Sequence, residues 1–355
     1  MKTLYTPYKI FHFPEKLRSL PREGTATTAP VHIRIKPTNL CGHHCWYCAY
    51  KAKDLDLGTD MVERDQIPPG KMREIVSDLE AIGVHAVTFS GGGDPFYYKP
   101  LLETVKRLAD SPIRFASLTN GARLFGEIAE VFAHHGTWLR VSLDGWDDAS
   151  YSRYRGVRLG EHTKLMENLR AFKRLGGYCH LGISLIVDRD NAEHVERSVK
   201  QLQDIGVNSV KVSPCITSND GKVSNQYHKP IFSAVRTQLE RLRAGLTDDS
   251  FELFDAYHEL DEKFDKSYDW CPYLQVLCVI GADQKVYSCQ DKAYTPEGLL
   301  GSLENQSFSE FWFKDKEKFF RIDPRRECRH HCVANKKNQS LIDYFSADLE
   351  HLFFV

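Results

Sequence analysis

The sequence predicts an α/β protein: a parallel sheet of six βα units, followed by a small α+β unit built on a β-hairpin. Three observations carry this. From Val31 onward, short β-branched runs alternate with helical periodicities, each pair taking the length of a βα unit. That alternation stops after Lys229. Beyond it, Cys271 and Cys289 stand at the two bases of a hairpin pattern, closed by a Gly-Ala-Asp-Gln turn.

Residues 31–36 alternate apolar and polar as a strand and run into Pro-Thr-Asn-Leu. Pro68-Pro69 opens a helix whose apolar positions Met72, Ile75, Val76, Leu79 and Ile82 keep the 3.6-residue period, and Gly83 stops it. Residues 84–90 read as a buried strand. A helix over 101–109 leads to a strand at 113–118, and a helix over 127–134 leads to a strand at 138–143. The helix through Leu165, Leu169, Phe172 and Leu175 precedes a strand at 179–187. Another, through Val195, Val199, Leu202 and Ile205, ends at Gly206 before the sixth strand, 209–213. Handed crossovers make such a repeat either an open doubly wound sheet or a barrel, and six units make a partial (β/α)6 barrel. A long polar helix follows to Leu246, and the Phe308, Phe311, Trp312, Phe319 run reads as core.

The charge balance is 47 basic against 48 acidic residues, which leaves no electrostatic footprint for nonspecific nucleic-acid binding. The start, MKTLYTPYKIFHFPEK, has no apolar run of signal-peptide length, and nothing later reaches membrane-spanning length. The expectation is a cytoplasmic protein with neither nucleic acid nor membrane as partner. Ten cysteines without a secretion signal point to metal or redox chemistry rather than disulfides. Seven fall into two sets, while Cys179, Cys215 and Cys278 stand apart.

The first set is Cys41-Gly-His-His-Cys45-Trp-Tyr-Cys48. Three thiolates cannot ligate all four irons of a cubane, so one iron is left open for a substrate or cofactor. Half a zinc site, completed by His43 or His44, is the competing reading, although adjacent histidines point in different directions. In barrels the chemistry gathers at the carboxyl ends of the strands. Cys41 follows the first strand, Gly91-Gly92-Gly93-Asp94 the second, Asn120-Gly121 the third and Asp144-Gly145 the fourth. Such loops are also polar simply to turn the chain, so the cysteines decide.

Over roughly residues 31–215 these segments resemble the radical S-adenosylmethionine (SAM) superfamily. In that family the open iron chelates the SAM amino and carboxylate groups, and reductive cleavage yields a 5′-deoxyadenosyl radical that abstracts hydrogen from substrate. The resemblance implies that Cys41, Cys45 and Cys48 hold a SAM-binding 4Fe-4S cluster. It also implies cofactor roles for Gly91, Gly92, Gly93 and Asp94, which replace the family's Gly-Gly-Glu with one methylene fewer on the acid. Tyr47 matches the aromatic beside the third cysteine, near the adenine. Ser142 and Asp144, two apart on one strand face, match the segment that bonds SAM ribose or carboxylate; Asn120 joins them. Arg155, and Arg153 beside it, could clamp a carboxylate or phosphate, or lie on a solvated helix approach.

Cys271, Cys289, Cys328 and Cys332 form the second set, a hairpin-base pair plus a close pair that can close a four-ligand site. This resembles the twitch domain, the shorter relative of the SPASM domain, and implies an auxiliary 4Fe-4S cluster; a structural zinc is the competing reading. The chain keeps Asp283 but has Gln284 where the family's turn has Gly, and its closing pair is three residues apart where two is commoner. Cys278 alternates in phase with Leu274, Val276 and Ile280, as a buried hydrophobe rather than a ligand. The expected organisation is an extension over 1–30, a partial barrel over 31–228, a helical linker over 229–267 and an auxiliary-cluster unit over 268–355.

The resemblance implies an oxidoreductase-type enzyme that uses a flavodoxin- or ferredoxin-type electron donor. Its substrate is expected to be a small polar molecule, a sugar, sugar nucleotide or aminocyclitol, undergoing dehydrogenation, decarboxylation or epimerisation. A peptide-modifying maturase, a glycyl-radical-activating enzyme and a nonenzymatic zinc module are the alternatives. Cys215, at the end of the sixth strand, is the candidate hydrogen-returning thiol, against its reading as an inert buried thiol.

Overall fold

The computed structural model describes residues 4–52, 55, 57–246, 250–259 and 264–351. Parts of the expected linker, 247–249 and 260–263, lie outside them. After a short helix, α1 (Pro14–Ser19), the βα series runs β1 (His32–Ile35), α2 (Pro69–Ala81), β2 (Ala86–Phe89), α3 (Leu101–Ala109), β3 (Arg114–Thr119) and α4 (Glu127–His135). It continues with β4 (Trp138–Leu143), α5 (Asp148–Arg155), α6 (Glu161–Arg174), β5 (His180–Val187), α7 (Val195–Ile205) and β6 (Ser209–Pro214). Then come α8 (Gly221–His228), α9 (Phe232–Ala244), β7 (Glu252–Asp255), β8 (Leu277–Ile280), β9 (Lys285–Tyr287), β10 (Leu299–Ser302), α10 (Phe308–Lys314), α11 (Pro324–Glu327) and α12 (Asn335–Phe345).

The local signals explain the elements. Pro69 sits in the first turn of α2, where its missing N–H costs nothing. Asp147 and Ser150 form a capping box at the start of α5, and Gly156 ends it in the left-handed conformation at φ 60°. Gly206 closes α7 the same way at φ 85°.

The sheet is open, as a partial barrel requires. Its order is β10-β9-β8-β1-β2-β3-β4-β5-β6-β7, parallel from β8 through β7 with an antiparallel β8-β9-β10 margin. Two features extend the sequence reading. The βα pattern does not stop at six: α9 crosses back to β7, which pairs in parallel with β6. Glu252-Leu-Phe-Asp255 is too short and polar to read as a strand by itself, and its sheet neighbour stabilises it. In addition, the hairpin is not a separate appendage, because β8 pairs in parallel with β1 from His32↔Leu277 to Ile35↔Ile280. Its strand starts at Leu277 rather than Leu274, since Pro272–Gln275 forms a 3₁₀ turn.

One apolar core lies between the outer sheet face and the helices, joining Ile33, Val87, Leu139, Val141, Val210 and Cys278 to Leu79, Leu169, Leu202 and Trp312. Phe308, Phe311 and Phe319 belong to it. The opposite face is polar: Arg34 and Lys36 on β1, Arg140 and Ser142 on β4, Ser184 on β5 and Lys211 on β6 alternate with the core residues. An inner face with this character is a cavity lining rather than a second core. At its amino-terminal end Tyr5 packs edge-on against Phe254, centroids 4.5 Å apart, under the cations of Arg140 and Lys211. The described residues before β1 are anchored at further points. Ile10, Leu17 and Leu20 pack with Val276 and Leu341, and the Trp312 indole donates to the Thr28 carbonyl at 2.9 Å.

Candidate active site and second cysteine set

The first cysteine loop leaves β1 at the carboxyl end of the sheet and is braced from three sides. The glycine loop braces it first: Gly93 N donates to Thr38 O at 3.2 Å and Asp94 N to Leu40 O at 2.9 Å. A Cβ on Gly93 would drive into the Leu40 backbone, and one on Gly92 into the Asn39 side chain. The absence of side chains at Gly92 and Gly93 is therefore first a packing requirement against the segment preceding Cys41. The second brace is His44 N to Arg155 O, 2.7 Å. The third is the Tyr47 hydroxyl, which donates to the Asp144 carboxylate.

Asp144 organises this corner. Its oxygens accept from Tyr47, from Arg155 Nε at 2.9–3.0 Å and from Gly145 N at 2.8 Å, while its own carbonyl accepts from Asn191 Nδ2 at 2.9 Å. Arg155 is held fully charged by that carboxylate and by the Tyr47, Cys45 and Tyr151 groups around it, which outweigh its burial. Its Nη2 is buried and without a hydrogen-bond partner. Arg153, by contrast, is exposed beside Asp190. Ser142 lies two residues before Asp144 on the inner face, opposite Ser184.

Asp94 turns its carboxylate to the neighbouring strand and its own turn. Its carboxylate accepts from Thr119 Oγ1 at 2.9 Å, Asn120 N at 2.6 Å and Phe96 N at 2.9 Å, joining the ends of β2 and β3. That junction aims Asn120, whose Nδ2 lies 3.8 Å from Cys41 Sγ. Cys41 also accepts from His43 N at 3.5 Å.

Burial raises the Cys41 and Cys45 thiols, Cys41 up to about 11, and the neighbouring cysteine sulfurs of the loop add to both shifts. Their sulfurs spread wider than one tetrahedral ion would hold them. Among the described residues, the one trio of metal-ligating atoms drawn within 4.8 Å of one another is Cys289, Asp291 and His330. A zinc ion at about 2.3 Å from sulfur needs the tighter arrangement; a larger cluster suits the wider one.

The second set also converges. Cys271 feels Cys289 and Cys328, Cys289 feels Cys328 and Cys332, and Cys332 feels Cys271, while burial pushes Cys271 and Cys332 up to about 12. Cys271 arrives before the 3₁₀ turn, Cys289 just after β9, and the closing pair between α11 and α12. Lys266 faces Cys328 and Cys332 and Lys292 faces Cys328, positive charge suited to a thiolate-held cluster. Cys278 is 0% exposed within the core, on the helix-facing side of β8. Cys215, at the end of β6, is buried; its N donates to Val187 O at 2.8 Å, and burial with the Asp188 and Asp144 charges pushes its thiol well up.

Two inner-face residues escaped the sequence reading. Lys36, buried at the end of β1, donates to Gly91 O at 3.1 Å and bonds the Tyr50 hydroxyl, which in turn donates to Gln290 O at 2.9 Å. The chain Gly91–Lys36–Tyr50–Gln290 thus links the glycine loop to the residue after Cys289. Burial, then Arg34 nearby, lowers Lys36 to about 7. Arg34 is half-buried, its Nε buried and unpartnered, near Asp291 and Cys289. The signal was present in the alternation of residues 32–36, where a cation at every second inward position is out of place in a core.

An open parallel half-barrel with three cysteines after its first strand and a glycine loop after its second defines a SAM-binding iron-sulfur enzyme. The Radical SAM superfamily model matches residues 35–231, and the chain belongs to that superfamily. It binds SAM and a 4Fe-4S cluster, and its carboxyl-terminal cysteines are consistent with an auxiliary cluster. A GTP 3′,8-cyclase of Synechococcus elongatus is 29% identical over 127 residues, 35% of this chain and 37% of the relative. An S-adenosylmethionine-dependent nucleotide dehydratase of Psychrobacter lutiphocae is 20% identical over 239 residues, 63% of this chain and 77% of the relative. The chain thus spans well under half the length of the cyclase. Among solved structures, Streptococcus suis SuiB bound to precursor peptide SuiA superposes with TM-score 0.62 at 15% identity, over 90% of this chain and 72% of SuiB. Native anSMEcpe with bound AdoMet gives 0.58 at 16%, over 89% and 97%. Both likenesses concern the fold. No helix among the described residues is long and apolar enough to cross a membrane.

Proposed function

We propose that this enzyme abstracts hydrogen from a phosphate-bearing small molecule, a nucleotide or sugar nucleotide, bound against the inner face of the sheet. The observation that carries this reading is the pair of cations near the glycine loop, Arg34 with its Nε buried and unpartnered and Lys36 at Gly91 O, while Arg140 and Lys211, beside Tyr5 at the far end, extend the positive charge of the face. A buried guanidinium nitrogen without a hydrogen-bond acceptor is costly and suits a polyanion that supplies one. The nucleotide chemistry in the names of the cyclase and dehydratase relatives supports the same class.

Cys41, Cys45 and Cys48 hold the SAM-binding cluster; Cys271, Cys289, Cys328 and Cys332 hold the auxiliary one. When bound, SAM and its cluster supply the hydrogen-abstracting radical. The chain's own residues position and shield. Arg155, its Nη2 unpartnered while Asp144 holds its Nε, would bind a carboxylate of the cofactor. Asn120 lies against Cys41, and the glycine loop fixes the segment before that cysteine. Cys215 stays a protonated thiol at the same strand ends, as a hydrogen donor must.

The test is anaerobic reconstitution followed by incubation with SAM, dithionite and a panel of nucleoside triphosphates, sugar nucleotides and uncharged sugars. About eight irons per chain, and 5′-deoxyadenosine release stimulated by phosphorylated compounds and lost in Arg34→Gln, are expected. Stimulation by uncharged sugars alone, or zinc with no SAM cleavage, would overturn the reading. For Cys215, solvent deuterium entering product and disappearing in Cys215→Ala is expected; unchanged incorporation removes it from that role.

A further inference from the structure

Beside the second cysteine set stands a histidine that the four-cysteine reading does not use. His330 lies between Cys328 and Cys332, in the segment that lengthens the closing pair to three intervening residues. It is only 5% exposed, and its Nε2 is buried without a hydrogen-bond partner. A ring nitrogen of His330, the Cys289 sulfur and an Asp291 carboxylate oxygen lie within 4.8 Å of one another. The backbone holds the ring there, since the Lys266 ammonium donates to the His330 carbonyl.

A neutral imidazole always carries one N–H, and a buried N–H without an acceptor costs free energy that a ligand at the site would return. Two acceptors are in reach. The Asp291 carboxylate already faces the Arg34, Lys36 and Lys266 cations. The Cys289 sulfur gains negative charge once it ligates iron. Four cysteines suffice for four irons, so the imidazole is free to act from outside the ligand set.

We propose that the His330 imidazole donates its ring N–H to the cluster-bound sulfur of Cys289, stabilising the reduced auxiliary cluster and raising its reduction potential. Hydrogen bonds to cluster sulfur are one of the levers that set such potentials. His330 is thus a positioning and tuning residue rather than a fifth ligand. The inference rests on the cluster assignment proposed above. The extra residue between Cys328 and Cys332 then has a purpose, because it carries the donor to the hairpin-base cysteine across the site.

The test uses full-length reconstituted protein, with a Cys41→Ala, Cys45→Ala, Cys48→Ala variant to isolate the auxiliary signal. Pulsed EPR on protein labelled with 15N-histidine is expected to show a weak nitrogen coupling to the reduced auxiliary cluster. In a redox titration His330→Phe is expected to shift the auxiliary midpoint to more negative potential, with the SAM-binding cluster unmoved, and His330→Gln, which keeps an N–H, to recover most of the shift. No nitrogen coupling, a strong coupling of a directly bound imidazole, or equal shifts in the Phe and Gln variants would each overturn the proposal. If His330→Phe loads no iron, the labelled wild-type spectrum alone decides. Wild-type protein with only about four irons per chain would instead defeat the cluster assignment itself.

Discussion

Arg155 Nε meets the Asp144 carboxylate at 2.9 Å with both side chains almost fully buried, 3% and 0% exposed. This pair fastens the end of β4 to the last turn of α5, and through Tyr47 and the Arg155 carbonyl it fastens the cysteine loop to both. Removing one member of a buried pair leaves an uncompensated charge, at about 3–5 kcal/mol. Asp144→Ala should therefore lower unfolding stability by about that amount and reduce SAM affinity with it. The double variant Asp144→Asn, Arg155→Met should recover stability without recovering SAM binding. Chemical denaturation beside equilibrium dialysis of SAM separates the two effects.

Gly93→Ala tests whether the glycine loop braces the cysteine loop. Its new methyl group would meet backbone, which cannot swing away as a side-chain tip would. Iron bound after reconstitution should fall by about half, with the auxiliary signal retained, whereas Gly70→Ala, with open space at its Cβ, should keep both clusters. Equal iron content in Gly93→Ala and wild type would show that the loop tolerates displacement.

Gln284 occupies the hairpin turn at φ 62°, in the left-handed region where glycine is at ease. That conformation costs a side-chain-bearing residue about 1 kcal/mol, partly offset by the greater unfolded-state freedom of glycine. Gln284→Gly should thus raise the unfolding free energy by roughly 0.5 kcal/mol, read as a slightly higher denaturation midpoint. A lower midpoint would mean that the glutamine side chain holds the turn.

Lys16 gives a pH dependence remote from both cysteine sets. It is 4% exposed, donates to Thr28 O at 3.1 Å and is lowered by burial to about 7. The unfolded chain keeps its ammonium protonated to about 10.5, so between pH 7 and 10.5 the unfolded state binds more protons. Stability contributed through this residue therefore rises with pH across that window and is lowest below 7. Over about three and a half pKa units this is at most about 5 kcal/mol. In Lys16→Met the rise in melting temperature between pH 7 and pH 9 should shrink; an identical slope would place the titration elsewhere.

The sequence was most legible where local rules and burial agree. The first six strands, their helices and both cysteine sets follow from periodicity, Gly and Pro punctuation and spacing. The seventh strand did not, because Glu252–Asp255 has no strand pattern of its own and owes its form to β6. The direction of the Asp94 carboxylate was not legible either, because spacing marks the loop, not which way each oxygen turns; three donors from β3 and its own turn bond it. Lys36 and Arg34 were passed over because an alternating strand normally turns its polar side to water, and only the curvature of the sheet makes that side an interior.

The ladder between β1 and β8 has a consequence for the spacing of the two redox centres. Its rungs are main-chain, His32 N to Val276 O at 3.0 Å and Lys36 N to Ile280 O at 2.8 Å. One strand of that ladder ends in the loop of Cys41, and the other belongs to the hairpin flanked by Cys271 and Cys289. The distance an electron must cross is thus gauged by peptide groups, which no side-chain substitution removes. Residues on the inner face can vary to admit a different substrate while the separation of the centres stays constant.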